Sequence, residues 1–169
     1  MADWAALVAE HGPQVWRTAF HILNHHADAH DCYQDAFLAA WQITPRDPAD
    51  WGRILTCLAT RKAIDRLRAR VRSARAEPLD TAPEPSTDDD PAQPVRLAEL
   101  IDRLRAGLAE LPGKQAEVVW LSCVEGLTNR EIAGQLRIPT GEVRVLLHRG
   151  RQRLREHLAP DLTDTWRPS

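Results

Sequence analysis

The stretch LPGKQAEVVWLSCVEGLTNREIAGQLRIPTGEVRVLLHRGRQRLREHL, residues 111–158, decides the fold class. A helix is predicted over Pro112–Val124, with proline suited to its first turn, and Gly126 ends it. Thr128 caps a second helix over Asn129–Leu136, with Glu131 three residues on as its capping-box partner. Arg137, Ile138 and Pro139 make a tight turn, and Thr140 caps a last helix to about Leu158. At the helical period, Val143, Leu147, Gly150 and Leu154 fall within about 60° of one another, a core stripe. Arg144, His148, Arg151 and Arg155 form a second stripe, about a quarter-turn away. One anchored face beside a face of donors is the design of a helix-turn-helix, which lays its second helix in the major groove. A solvated basic face is the plainer alternative; the capped preceding helix and the tight turn favour DNA.

Working outward, the 169 residues fit one domain or two small ones. Leu, Ala and Arg are abundant while Tyr, Phe and Gly are scarce, which points to an all-α protein. The net charge of -2 hides a strong alternation. Residues 1–50 carry -5, 51–76 carry +7, 77–110 carry -6, 111–158 carry +3 and the tail -1. Local field, not the total, steers a polyanion. Residues 77–94, EPLDTAPEPSTDDDPAQP, hold five prolines and six acids and too little apolar content for a core. They read as a flexible linker within 74–94, dividing a first domain (1–73) from a second (95–158) and a tail (159–169). Each domain is near the lower size limit for independent folding.

The first domain offers three helical patterns. Asp3 caps one running to about Leu23. A second spans Asp28 to about Gln42, with Asp28 and Asp31 resembling a capping box. Tyr33, Ala36, Phe37 and Ala40 share one face of it, and Asp28, Asp31 and Asp35 lie opposite. That acidic stripe is either a solvated face or a partner surface. A third helix runs from about Trp51 to Arg72, with Ile54, Leu58, Ile64 and Leu67 as core positions. Its segment RKAIDRLRARVRSAR, residues 61–75, holds seven basic residues and one acid, more than the capping of a helix end requires. Phosphate contact accounts for the excess. The second domain opens with a helix over about Val95–Ala109, apolar at Leu97, Leu100, Ile101, Leu104 and Leu108.

Other chemistries find little support. His21, His25, His26 and His30 with Cys32 lack the regular spacing of zinc motifs, so no metal site is expected. No phosphate loop and no nucleophile–base set is present, so neither an enzyme nor a cofactor is expected. Cys32, Cys57 and Cys123 are odd in number and widely spaced, and read as reduced thiols, buried and inert within helices. No apolar run is long enough to span a membrane, and MADWAALVAEHG does not read as a signal peptide. The expectation is a soluble cytoplasmic protein.

Four segments together resemble the extracytoplasmic-function sigma factors, the small promoter-recognition subunits of bacterial RNA polymerase. DAHDCYQDAFLAAWQ (28–42) is similar to their core-binding helix, often DAEDVVQETFLRAW. ILTCLATRKAIDRLRAR (54–70) is similar to the segment that melts and reads the minus-ten element. EGLTNREIAGQLRIPTGEVRVLLHRGRQRL (125–154) is similar to the minus-thirty-five reader, and the acidic linker sits where the family joins its two domains. The resemblance implies that Asp28, Asp31, Gln34, Asp35, Phe37 and Trp41 dock on the polymerase clamp, with Phe37 shared with the domain core. It implies that Arg61, Lys62, Asp65, Arg66 and Arg68 hold the unwound strand. Single-stranded bases need pockets and cations rather than groove readout. It assigns Thr128, Arg130, Thr140, Glu142, Arg144, Val145, His148, Arg149 and Arg151 to duplex contact.

The departures matter. Ile54 stands where the family often has Trp, and Arg61 where it often has Asn. In the recognition helix, EVRVLLHRG replaces the frequent TVKSRLHRA. Leu146 thus removes an Arg that would touch phosphate, which weakens duplex affinity and flattens its salt dependence. A distinctive or weak minus-thirty-five preference is expected, together with weak DNA binding by the free chain. The implied partners are core RNA polymerase, promoter DNA and an inhibitory anti-sigma protein, the free chain being a monomer. The competing readings are a conventional helix-turn-helix regulator, a sigma-like protein-binding module, and an enzyme built on the histidine cluster.

Overall fold

The computed structural model describes residues 3–43, 47–76 and 95–165. Among these there are seven α-helices and no strand. The all-α expectation holds; the acidic linker at 77–94 and Trp166 lie outside the described residues.

Helix α1 (Trp4–Leu23) starts where expected, because the Asp3 carboxylate accepts from the Ala6 amide at 3.2 Å. It continues through Pro13 and stops at Asn24, whose left-handed φ of 43° ends the helix. Helix α2 (His26–Trp41) begins two residues before the expected start. The cap is not Asp28: a His25 ring nitrogen accepts from the Asp28 amide at 3.2 Å. A 3-10 turn over Pro48–Asp50 leads into α3 (Trp51–Ala76), which carries the basic block past Arg72. The three helices pack on one another around Val15, Ala19, Ile22, Ala36, Leu55 and Ile64.

In the second half, α4 (Val95–Glu110) and α5 (Gln115–Cys123) flank a turn at 111–114. Helix α5 is shorter than Pro112–Val124. Gly113 has a φ of 51°, which breaks the helical path, so Pro112 belongs to the turn and not to the first helical turn. Helices α6 (Asn129–Leu136) and α7 (Thr140–Thr165) follow. Gly150 allows α7 to lie close on α5, since a Cβ there would come within 2.5 Å of the Val119 side chain. On α4 the apolar pattern is only partly used: Leu108 is buried, whereas Leu97 and Leu104 are exposed.

The two halves are not separate in this structure. Helix α3 packs against α4, α5 and α6, and one apolar cluster runs from Ile22, Ile64 and Leu67 through to Leu111, Val118 and Leu121.

Candidate nucleic-acid interface

The capping box of the helix-turn-helix forms as the sequence reads, whereas Thr140 is the first residue of α7 and not its cap, the Glu142 and Val143 amides donating to the Pro139 carbonyl. The Thr128 hydroxyl accepts from the Glu131 amide, and the Glu131 carboxylate accepts from the Thr128 amide at 2.8 Å, closing the capping box. Those bonds to Thr128 hold the Glu131 carboxyl below the usual carboxylate range. Arg137 adopts a left-handed φ of 54°, and the Ile138 amide donates back to Ala133 at 3.1 Å, which sets the turn. Val143, Leu147, Gly150 and Leu154 are all buried. Arg144, His148, Arg149, Arg151 and Arg155 are all exposed, as are Glu142, Val145, Thr128 and Arg130, with Thr140 half-buried. The anchored helix therefore presents a continuous outer face of donors, the arrangement that groove readout and phosphate contact require. Arg151 also lies 3.4 Å from the Cys123 sulfur, and Cys123 is exposed, contrary to the expectation that all three thiols are buried. It occupies the last turn of α5, next to the chain's exit into the loop.

The basic residues of α3 divide between two neighbours. Arg66 faces α2: its guanidinium lies 3.1 Å from Asp31, 3.2 Å from Asp35 and 3.7 Å from Asp28. Arg70 joins it, 3.2 Å from Asp28 and donating to the Leu23 carbonyl. Arg61 and Arg68 face the second half. Arg61 lies 3.5 Å from Glu117, and Arg68 donates to the carbonyls of Leu111 and Gly113 at 2.8 and 2.9 Å. Lys62 is half-buried, and exposed Asp65 sits 3.7 Å from Arg68.

On α2, Asp31, Gln34, Asp35, Leu38 and Trp41 fall within a stripe of about 120° at the helical period. Leu38 is 68% exposed and Trp41 66%. Phe37 is instead half-buried against the core with Tyr33. Trp41 stacks on Trp4 at 4.9 Å between ring centroids, and Trp4 meets Trp51 edge-on, so the exposed indole is held in place. The sequence reading passed over Leu38. The available signal was a large apolar residue lying off the core face of the helix.

Residues 7–73 match the family Sigma-70 region 2, and residues 101–154 match Sigma-70, region 4. The ECF RNA polymerase sigma factor SigL of Mycobacterium tuberculosis is 30% identical over 151 residues, covering 85% of this chain and 81% of SigL. The chain belongs to the extracytoplasmic-function sigma factors. SigE of Mycolicibacterium smegmatis is 32% identical over 167 residues, covering 98% of this sigma factor and 65% of SigE. SigD of Mycobacterium tuberculosis is 38% identical, with 63% of its length spanned. The sigma factor RpoE, in a co-crystal structure with the anti-sigma factor NepR from Bartonella quintana, shares the fold of this chain at a TM-score of 0.57. Sequence identity there is 18%, and the match covers 94% of this chain and 98% of that one.

In this sigma factor the region 2 and region 4 halves are joined by polar contacts as well as by the shared apolar cluster. The Glu125 carboxylate, just beyond α5, accepts from Gln14 at 2.6 Å and Thr18 at 2.7 Å, both on α1, and from the Trp120 indole at 3.0 Å. Arg53 on α3 reaches Glu131 at 3.2 Å, and Arg75 pairs with Glu110. Glu117 is buried at the joint, and burial pushes its carboxyl above the usual range despite Arg61. The two domains expected from the sequence thus touch along the length of α3.

Among the described residues no group of His, Cys, Asp and Glu is arranged to hold a metal ion, and no helix is long and apolar enough to cross a membrane.

Proposed function

We propose that this chain is an alternative sigma factor that binds core RNA polymerase and directs it to a subset of promoters. The α2 stripe, Asp31, Gln34, Asp35, Leu38 and Trp41, docks on the polymerase. Arg61, Lys62, Asp65, Arg66 and Arg68 on α3 serve the unwound strand of the minus-ten element. The outer face of α7, with Arg144, Val145, His148, Arg149 and Arg151, reads the minus-thirty-five duplex, supported by Thr128, Arg130, Thr140 and Glu142. Asp28 acts from within, holding Arg66 and Arg70, and Phe37 keeps the docking helix seated. The chain performs no catalysis and needs no cofactor. It works in the cytoplasm, is a monomer when free, and is held in check by an anti-sigma protein.

The observation that carries this reading is the exposed pair Leu38 and Trp41 beside the carboxylates of Asp31 and Asp35. A helix-turn-helix regulator that acts by DNA binding alone has no use for a fixed apolar–acidic face on a distant helix. Large exposed aromatics of this kind are the anchors of protein interfaces. The test is a pull-down of bacterial core polymerase by the chain and by Trp41→Ala and Leu38→Ala. Tight binding by the unaltered chain, weakened about tenfold or more by either substitution, is expected. Failure to bind core, with tight and specific binding of duplex DNA, would instead make the chain a conventional regulator.

A further inference from the structure

Buried Val143, Leu147, Gly150 and Leu154 fix the direction in which α7 faces its own domain. At the helical period, Val145 and Gln152 each lie within about 10° of the opposite direction, straight out from the domain. Arg144, Arg151 and Arg155 lie about 70–110° to one side of that line, the side on which Arg151 meets the Cys123 sulfur of α5 at 3.4 Å. Arg149 and Arg153 lie about 50–90° to the other side. All of these arginines are exposed. A helix in the major groove runs between two phosphate backbones, so cations on both flanks suit the backbones and the residue midway between them meets the base edges. Of the two midway residues, Val145 is the one near the start of the helix, where helix-turn-helix proteins make their base contacts.

Val145 is 47% exposed, whereas Val143 is fully buried. A β-branched residue on the outer side of a helix lowers helix propensity and adds nothing to the core. Gly141, one turn earlier on the same ridge, is exposed, and a Cβ there would meet nothing within 4 Å. A helical side chain leans over the turn that precedes it, so the isopropyl group of Val145 stands over a place that glycine leaves bare.

We propose that Val145 is a specificity-determining residue that reads the C5-methyl group of a thymine in the minus-thirty-five element, while the arginines on its two flanks hold the phosphates. The proposal rests on the reading of α7 as the minus-thirty-five helix and names the base chemistry at its centre. Thymine alone presents a methyl group in the major groove. Contact between that methyl and the isopropyl group covers apolar surface on both partners. An adenine, guanine or cytosine at the same place sets a polar edge against a side chain that offers it no hydrogen bond. A serine in place of Val145 bonds to donor and acceptor edges alike, and so relaxes the choice of base.

The experiment uses the full chain with bacterial core polymerase free of any other sigma factor. Initiation from a library of randomised promoter DNA, read by sequencing, is compared for the unaltered chain and for Val145→Ser. The upstream element selected by the unaltered chain is then synthesised with deoxyuridine, which lacks only the methyl group, in place of each thymine in turn, and its affinity for the assembled polymerase is measured. Circular dichroism checks that Val145→Ser keeps its helices. The unaltered chain is expected to select thymine at one position of the upstream element. Deoxyuridine there should lower affinity about fourfold, the factor that one buried methyl group supplies. Val145→Ser should neither select thymine at that position nor distinguish it from deoxyuridine. Equal affinity of the unaltered chain for thymine and deoxyuridine at every position would overturn the proposal, whatever the variant does. So would a folded Val145→Ser that keeps the thymine preference, or a selected element without thymine. No initiation by the unaltered chain would overturn the proposed function and this proposal together, whereas initiation without methyl dependence leaves the function standing and overturns the base assignment alone.

Discussion

Arg66 shows how a residue's place in sequence and its place in the fold can point different ways. Sequence resemblance puts it with the strand-holding cations, yet its guanidinium sits among Asp28, Asp31 and Asp35. Three carboxylates on one face of a helix repel one another, and a guanidinium from α3 with its planar fork offsets that repulsion. Arg66→Ala is therefore expected to lower unfolding free energy by about 1–2 kcal/mol, read from the denaturant midpoint. An unchanged midpoint would mean that the acidic stripe needs no internal partner. The cysteines separate in the same way. Burial pushes the thiols of Cys32 and Cys57 up to about 12, whereas Cys123 is exposed. The thiolate is the reactive form, so a disulfide reagent at neutral pH should modify Cys123 quickly and the other two only on unfolding. A second fast thiol would contradict the packing around α3. Helix membership did not reveal this difference, because burial depends on which turn of the helix faces its neighbours.

At the scale of the element, short-range chemistry made most boundaries legible. Asp3 and the Thr128–Glu131 box are caps whose donors lie within three residues, so sequence alone places them. Thr128→Ala should cost about 1 kcal/mol of stability and loosen α6, measured by chemical denaturation. No loss would show that α5 and α7 alone fix α6. The misplaced starts have physical causes: a histidine ring nitrogen capped α2, and the left-handed Gly113 delayed α5. Glu117 belongs to this scale too, because its environment comes from α3. Arg61 and Arg68 favour its charge and Asp65 opposes it, but burial is the larger effect and raises its carboxyl. A raised native value means that the folded chain binds this proton more tightly than the unfolded chain. The associated stability is present below the ordinary glutamate range and is lost as pH rises through the shifted value. Glu117→Gln should thus be more stable than the unaltered chain near pH 7, with the difference shrinking toward about pH 4. A difference independent of pH would contradict the burial of that carboxylate.

For the whole molecule, periodicity and charge alternation delivered two helical units, and the joint order of their segments delivered the family. The arrangement of the halves was not legible. Gln14 and Glu125 are 111 residues apart, and no local pattern marks two polar side chains as partners over that distance. The excess of cations in residues 51–76 did carry a trace of it, since Glu110 and Glu117 meet part of that charge. The candidate site was legible where a helix face explains itself, as on α7. It was less legible on α2, where Leu38 stood out as an exposed apolar residue only once the core had claimed Phe37. The role proposed for this chain is to lend promoter specificity to polymerase. Run-off transcription on genomic DNA, with bacterial core polymerase free of any other sigma factor, tests it most directly. The expected result is initiation at discrete sites only when the chain is added, abolished by reversing the charges of Arg144 and Arg151. No initiation above the level of core alone, while the free chain binds duplex DNA tightly, would contradict it.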